Sequence, residues 1–174
     1  QAFASFDDPA SGFEKVVDMA ISDVDINAVE RILSEAPADL TGKPTSDAVR
    51  AWILAHRGQW QQAFDHYAQL LHANQVHLSY KHEETFASAC RHTGRWIEGF
   101  ELSPDKEAAL RRLVNEAVEA RAPKVVAQLC EHYEPDDPTD PVPFLMQLEG
   151  AWAVKDYAQY ITAAKQVLEL SSND

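Results

Sequence analysis

The segment Gly58-Gln59-Trp60-Gln61-Gln62-Ala63 returns thirty-six residues later as Gly94-Arg95-Trp96-Ile97-Glu98-Gly99. A fixed period of this length marks one supersecondary unit copied in tandem, because a single copy cannot bury its own apolar face and must stack on the next. The sequence therefore constrains architecture far more than chemistry.

The unit is helical. Over residues 59–73, Trp60, Ala63, Phe64, Tyr67, Leu70 and Leu71 fall at offsets 0, 3, 4, 7, 10 and 11, one apolar stripe of an α-helix, with Gln59, Gln62, Asp65, His66, Gln69 and His72 opposite. Tyr157, Tyr160, Ile161, Ala164, Val167 and Leu168 repeat these offsets as a third copy, in which Lys155 replaces the glycine of the corner. That corner is expected to be made differently or at some cost. The preceding helices carry small packing faces, Ala48, Ala51, Trp52 and Ala55 in one copy and Phe86, Ala89, Cys90 and Thr93 in the next. Gly58 and Gly94 then stand where the first helix of each pair must stop in a left-handed conformation.

Further helix starts are read from caps: Ser11 with Glu14 as a capping box, Asp25, Ser103 followed by Pro104 and Asp105, and Pro123 at a first helical position. Leu110, Leu113, Val114, Ala117 and Val118 face inward on the third of these, and Val126, Leu129, Cys130 and Tyr133 on the fourth. The whole chain predicts ten helices in five pairs, near 12–22, 25–36, 45–57, 59–73, 80–93, 95–102, 104–121, 123–133, 141–154 and 156–170, with a polar loop at 37–44 and a Pro/Asp-rich connector at 134–143. No segment alternates as a strand would.

These residues resemble the tetratricopeptide-repeat family. Ala51 to Leu71 is similar to one repeat, with Gly58, Trp60, Ala63 and Tyr67 at its marker places, and residues 86–100 resemble a second, with Ala87 and Cys90 at the signature positions that Ala51 and Leu54 occupy in the first. Leu148, Ala151, Tyr157 and Ala164 mark a terminal copy. The match is best over 45–100 and 140–170; Gly99 and Pro104 depart from it, and no copy has the closing proline. The resemblance implies an all-α fold, about five antiparallel helical hairpins stacked as a right-handed superhelix, forming a single domain over 1–174. It also implies a concave groove that holds a peptide or a partner's helix. Projected onto this chain, that groove holds Ala48, Trp52, Ala55 and His56, then Lys81, Glu84, Ser88, Arg91 and His92, with Trp152 on the last pair. One branch of the family grips a terminal carboxylate with paired asparagines and lysines; Ala48, Trp52, Glu84 and Ser88 in those places exclude that clamp.

Charge bears on the partner. Fifteen Lys and Arg against 28 Asp and Glu give −13, which repels phosphate backbones and suits a basic partner, although excess carboxylate also simply keeps a protein dispersed. Arg111, Arg112, Arg121 and Lys124, the sole basic concentration, would suit an acidic partner, although salt links with those carboxylates are the stronger expectation. No run reaches the roughly 18 apolar residues of a membrane helix, so no membrane insertion is expected. Cys90 and Cys130 stand alone, outside any disulfide or zinc framework, and point to a reducing, cytoplasmic compartment; the exported or anchored part of a larger protein would carry them equally well.

Other chemistry is disfavoured. His66, His72, His77 and His82 are not spaced as metal ligands on one face; Cys90 with His92 and Cys130 with His132 point apart on a helix. Asp136, Asp137 and Asp140 lack the calcium-loop pattern, and the six glycines form no phosphate-binding loop. Trp60 and Trp96 belong to packing stripes, whereas Trp52 and Trp152 are either core residues or exposed anchors. The expected function is a scaffold without catalysis, cofactor or metal that binds a protein or peptide. The alternative is a helical accessory or oligomerisation domain of a larger enzymatic or membrane-anchored protein, motivated by a chain that begins at Gln1 without methionine.

Overall fold

The computed structural model describes residues 9–36, 40, 43–73, 78–134 and 139–171. Among them lie ten α-helices and no strand: α1 (Pro9–Ser22), α2 (Ile26–Glu35), α3 (Pro44–His56), α4 (Trp60–His72), α5 (Tyr80–Thr93), α6 (Trp96–Leu102), α7 (Lys106–Glu119), α8 (Pro123–His132), α9 (Val142–Ala153) and α10 (Tyr157–Ser171). The all-α expectation and the ten elements hold. The chain divides into two compact units, 1–89 and 90–174, with the division inside α5.

Two helix starts differ from the sequence reading. α1 opens at Pro9, so Ser11 lies inside it and is not its cap. α7 opens at Lys106 behind Asp105, whose carboxylate accepts from the Ala108 N–H at 2.9 Å. Ser103 closes α6 instead, its hydroxyl donating to the Gly99 carbonyl at 2.9 Å, and Pro104 separates the two helices. The Lys106 ammonium donates back to the Phe100 and Glu101 carbonyls, neutralising the negative end of α6. Asp25 caps α2 as expected, accepting from Ala28 N at 2.9 Å, and Pro123 opens α8.

One corner geometry recurs five times. Val24, Gly58, Gly94, Arg121 and Lys155 all have φ between 53° and 75°. In each case the next residue's N–H reaches the carbonyl five residues back: Asp25 to Ala20 at 3.0 Å, Gln59 to Leu54 at 2.9 Å, Arg95 to Cys90 at 3.1 Å, Ala122 to Ala117 and Asp156 to Ala151 at 2.8 Å. This closure satisfies carbonyls left open at a helix end and turns the chain at once into the next helix. The Lys155 corner is therefore made in the same way as the glycine corners, contrary to the alternative construction that its side chain suggested. A side chain in this region costs about 1 to 2 kcal/mol, which the three non-glycine corners bear.

In the first unit the core gathers Phe13, Val17 and Ile21 of α1, Val29 of α2, Leu40, and Val49, Trp52 and Ile53 of α3. Arg57 at the end of α3 meets Glu30 of α2 at 2.5 Å. α4 turns Ala63, Phe64, Tyr67, Leu70 and Leu71 inward, as its stripe predicts, while Trp60 is half-buried. Phe86 of α5 seats against Phe64 and Tyr67, with ring centroids 5.2 and 5.7 Å apart.

In the second unit α7 and α8 pair through Leu110, Leu113, Val114, Val126 and Leu129, and α9 packs on both. Gly150 permits that approach: a Cβ there would stand 2.7 Å from Val126 Cγ1. α10 packs principally on α9. It departs from its stripe. Ala163 is its buried residue, whereas Tyr157, Ile161 and Leu168 are exposed and Tyr160, Ala164 and Val167 half-buried.

Candidate functional site

The first unit holds a cleft of about 180 Å³, lined by Glu14, Val17 and Asp18 of α1, Thr45, Ala48 and Val49 of α3, Leu78 and Ser79 ahead of α5, and His82 on it. Positions i, i+3 and i+4 on α1 and again on α3 present three side chains each to the same space, so one face of each helix lines it. Val17, Ala48, Val49 and Leu78 supply the apolar part. Glu14 and Asp18 bring carboxylates, and partial burial raises the Asp18 carboxyl above its ordinary range.

His82 is 5% exposed, and its Nδ1 lies 2.9 Å from the Tyr67 hydroxyl. Burial lowers its imidazolium from 6.5 to about 4, so the ring is neutral at pH 7, and burial also raises the Tyr67 phenol. The cleft thus combines aliphatic walls, one neutral ring and two anionic groups. That combination matches the aliphatic stem and terminal cation of a lysine or arginine side chain.

The sequence-derived groove residues fall as follows. Trp52 is a correction: at 2% exposure it belongs to the core, because α1 and α2 cover the side of α3 expected to face a partner. His56 is exposed at the end of α3; its ring lies 3.9 Å from that of Trp52, and its Nδ1 is 2.9 Å from the Trp52 carbonyl oxygen. Ala48 lines the cleft, while Ala55 is buried. On α5, exposed Lys81 pairs with Glu84 at 3.0 Å, and Ser88 is half-buried.

In the second unit, Arg91 reaches Glu116 at 3.2 Å and Glu119 at 2.8 Å, so its guanidinium ties α5 to α7. His92 is exposed. Trp152 is 63% exposed and lies 6.3 Å from the Tyr157 ring and 5.6 Å from that of Tyr160. Glu14, Asp18 and Ser79 are not singled out as site residues by the sequence, because α1 and the segment ahead of α5 lie outside the repeat markers. The i, i+4 pair of carboxylates on α1 was the available signal.

Cys90 and Cys130 are buried; burial raises both thiols, Cys130 to about 12, which leaves no thiolate at neutral pH. Among the described residues no three His, Cys, Asp or Glu side chains gather as metal ligands. His77, Asp136 and Asp137 lie outside the described residues. Asp140 holds the start of α9, accepting from the Val142 N–H at 2.8 Å and from the Tyr133 hydroxyl at 2.9 Å. Arg111 pairs with Glu107 at 2.8 Å, the salt link expected there. No described helix is long and apolar enough to cross a membrane.

Compared with known proteins, the chain matches no protein-family model and no curated protein. Among solved structures it is similar to the nearly identical TPR-like repeats assigned to a kinesin light chain of Podosopora anserina, with 12% identity over 97% of this chain and 98% of that one and a TM-score of 0.47. A singly substituted form of those repeats gives 14% identity over 93% and 92%, with a TM-score of 0.45.

Proposed function

We propose that the protein is a non-catalytic scaffold that binds a protein partner through a basic peptide segment, with a lysine or arginine of that segment entering the cleft between α1, α3 and α5. One observation carries this reading: the cleft pairs aliphatic walls with the carboxylates of Glu14 and Asp18, in a chain of net charge −13. Coulomb attraction draws a basic segment towards such a surface, and a preformed cleft saves ordering entropy on binding. His56, Lys81, Glu84 and Ser88 are the polar positions of the same unit that would fix the register of the peptide. Arg91 and His92 are the corresponding positions proposed for the second unit. The two buried cysteine thiols suit a reducing compartment, in keeping with a cytoplasmic protein.

The test is a fluorescence-anisotropy titration with labelled Lys/Arg-rich peptides and their Lys→Gln counterparts. The parent is expected to prefer the basic peptides, with affinity falling as salt rises. Glu14→Gln combined with Asp18→Asn should weaken that binding by about tenfold or more, a loss of about 1.4 kcal/mol, without altering the helical circular dichroism. Equal binding by parent and double variant sinks the assignment to this cleft.

A further inference from the structure

We infer that the exposed face of the α9–α10 hairpin is a self-association surface, covered by the same face of a second copy of this chain. Trp152, Tyr157, Ile161 and Leu168 are 63%, 57%, 54% and 66% exposed. These are not scattered. The Trp152 ring stands 6.3 Å from Tyr157 and 5.6 Å from Tyr160, and Ile161 and Leu168 follow Tyr157 by four and eleven residues on the same side of α10. At 1.5 Å per residue the row runs for roughly 16 Å, and its exposed side chains present on the order of 500 Å². Contiguous apolar surface of that size is in the range of the largest patch on a monomeric protein, which is often a functional face.

Charge identifies the occupant. Residues 142–171 carry only Glu149, Lys155, Asp156, Lys165 and Glu169, a net −1. The other 144 residues of the chain carry the remaining −12. Two copies brought together through most of their surface would press carboxylate against carboxylate, whereas this face joins them without that repulsion. A basic partner finds no cluster of anions here and is drawn elsewhere. A two-fold arrangement is self-complementary by construction: antiparallel α10 helices lay one Ile161–Leu168 row against the other, with the aromatic residues at its ends. The buried area lies at the small end of specific interfaces, so the association is expected to be a weak and reversible one.

Sedimentation equilibrium of the full chain, followed from about 1 to about 200 µM, reads this directly. The parent is expected to move from the 19.4 kDa chain mass towards twice that value. Ile161→Glu with Leu168→Glu should raise the dissociation constant at least about a hundredfold. Both positions are exposed, so helical circular dichroism should be unchanged, and Gln62→Glu on α4, in the other unit, should leave the dimer intact. Tryptophan fluorescence should shift to the blue with concentration in the parent and not in the double glutamate variant. A parent that stays monomeric overturns the inference, including one that instead binds an amphipathic helix of a different protein at this face. A dimer unaffected by the double glutamate variant overturns it equally.

Discussion

The α3–α4 and α9–α10 hairpins share one apolar spacing in their second helices and bury it differently. Trp60 to Leu71 and Tyr157 to Leu168 share every apolar offset, and both hairpins turn through a left-handed corner. Yet Phe64, Tyr67, Leu70 and Leu71 are buried, whereas Tyr157, Ile161 and Leu168 are more than half exposed. α4 is covered by α3 on one side and by Phe86 of α5 on the other. α10 has α9 as its principal neighbour and turns the small Ala163 towards it. A stripe states what a helix can bury, and its neighbours decide what it does bury.

The largest expected consequence is energetic. Phe64→Ala removes a fully buried ring that contacts Phe86 and should lower unfolding free energy by about 3 to 5 kcal/mol. Ile161→Ala, at the same offset in α10, removes an exposed side chain and should cost about 0.5 kcal/mol or less in dilute solution. Urea denaturation of both variants checks the pair. Equal losses would mean that α10 is as fully covered as α4.

A second contrast is in pH. Tyr67 of α4 makes a buried hydrogen bond to His82, and among the described residues no buried histidine stands against α10. His82 titrates near 4 when folded and near 6.5 when unfolded, so between those values the unfolded chain binds the additional proton. Stability from this source is therefore full above about pH 6.5 and is lost as pH falls towards 4, by roughly 3 kcal/mol at most. His82→Gln should flatten that part of the urea midpoint against pH. A slope unchanged in the variant would assign the acid sensitivity to other groups; Asp18, whose carboxyl is raised by burial and so takes up a proton more readily when folded, contributes with the opposite sign.

Much of this architecture was legible in the chain, for identifiable reasons. Helices are local objects, so offsets of 3 and 4 residues, Pro123 and Asp25 placed them well. Caps were less legible where two candidates stood side by side: Ser103 and Asp105 flank Pro104, and only the backbone shows that the first closes α6 while the second opens α7. The candidate site was least legible. Trp52 reads as a groove residue if α3 is considered alone, and only its burial with Phe13, Val17 and Val29 makes it core. The cleft brings together residues 14 to 82, a convergence that no local period encodes.

The smallest effect isolates the corners themselves. Gly58 and Lys155 occupy the same place in the two hairpins, at φ 75° and 61°, with the same closing hydrogen bond. Nothing lies within 4 Å of a Cβ built on Gly58, so Gly58→Ala meets no clash and its expected cost of about 1 kcal/mol is conformational alone. Lys155→Gly relieves the same strain and should gain about 0.5 to 1 kcal/mol, reduced by the greater freedom that glycine gives the unfolded chain. Opposite signs in the two melting curves would show that the repeat's glycine serves backbone conformation. Were Gly58→Ala neutral, the strain at Lys155 would be negligible too, and the recurrence of glycine at 58 and 94 would need a cause outside the corner.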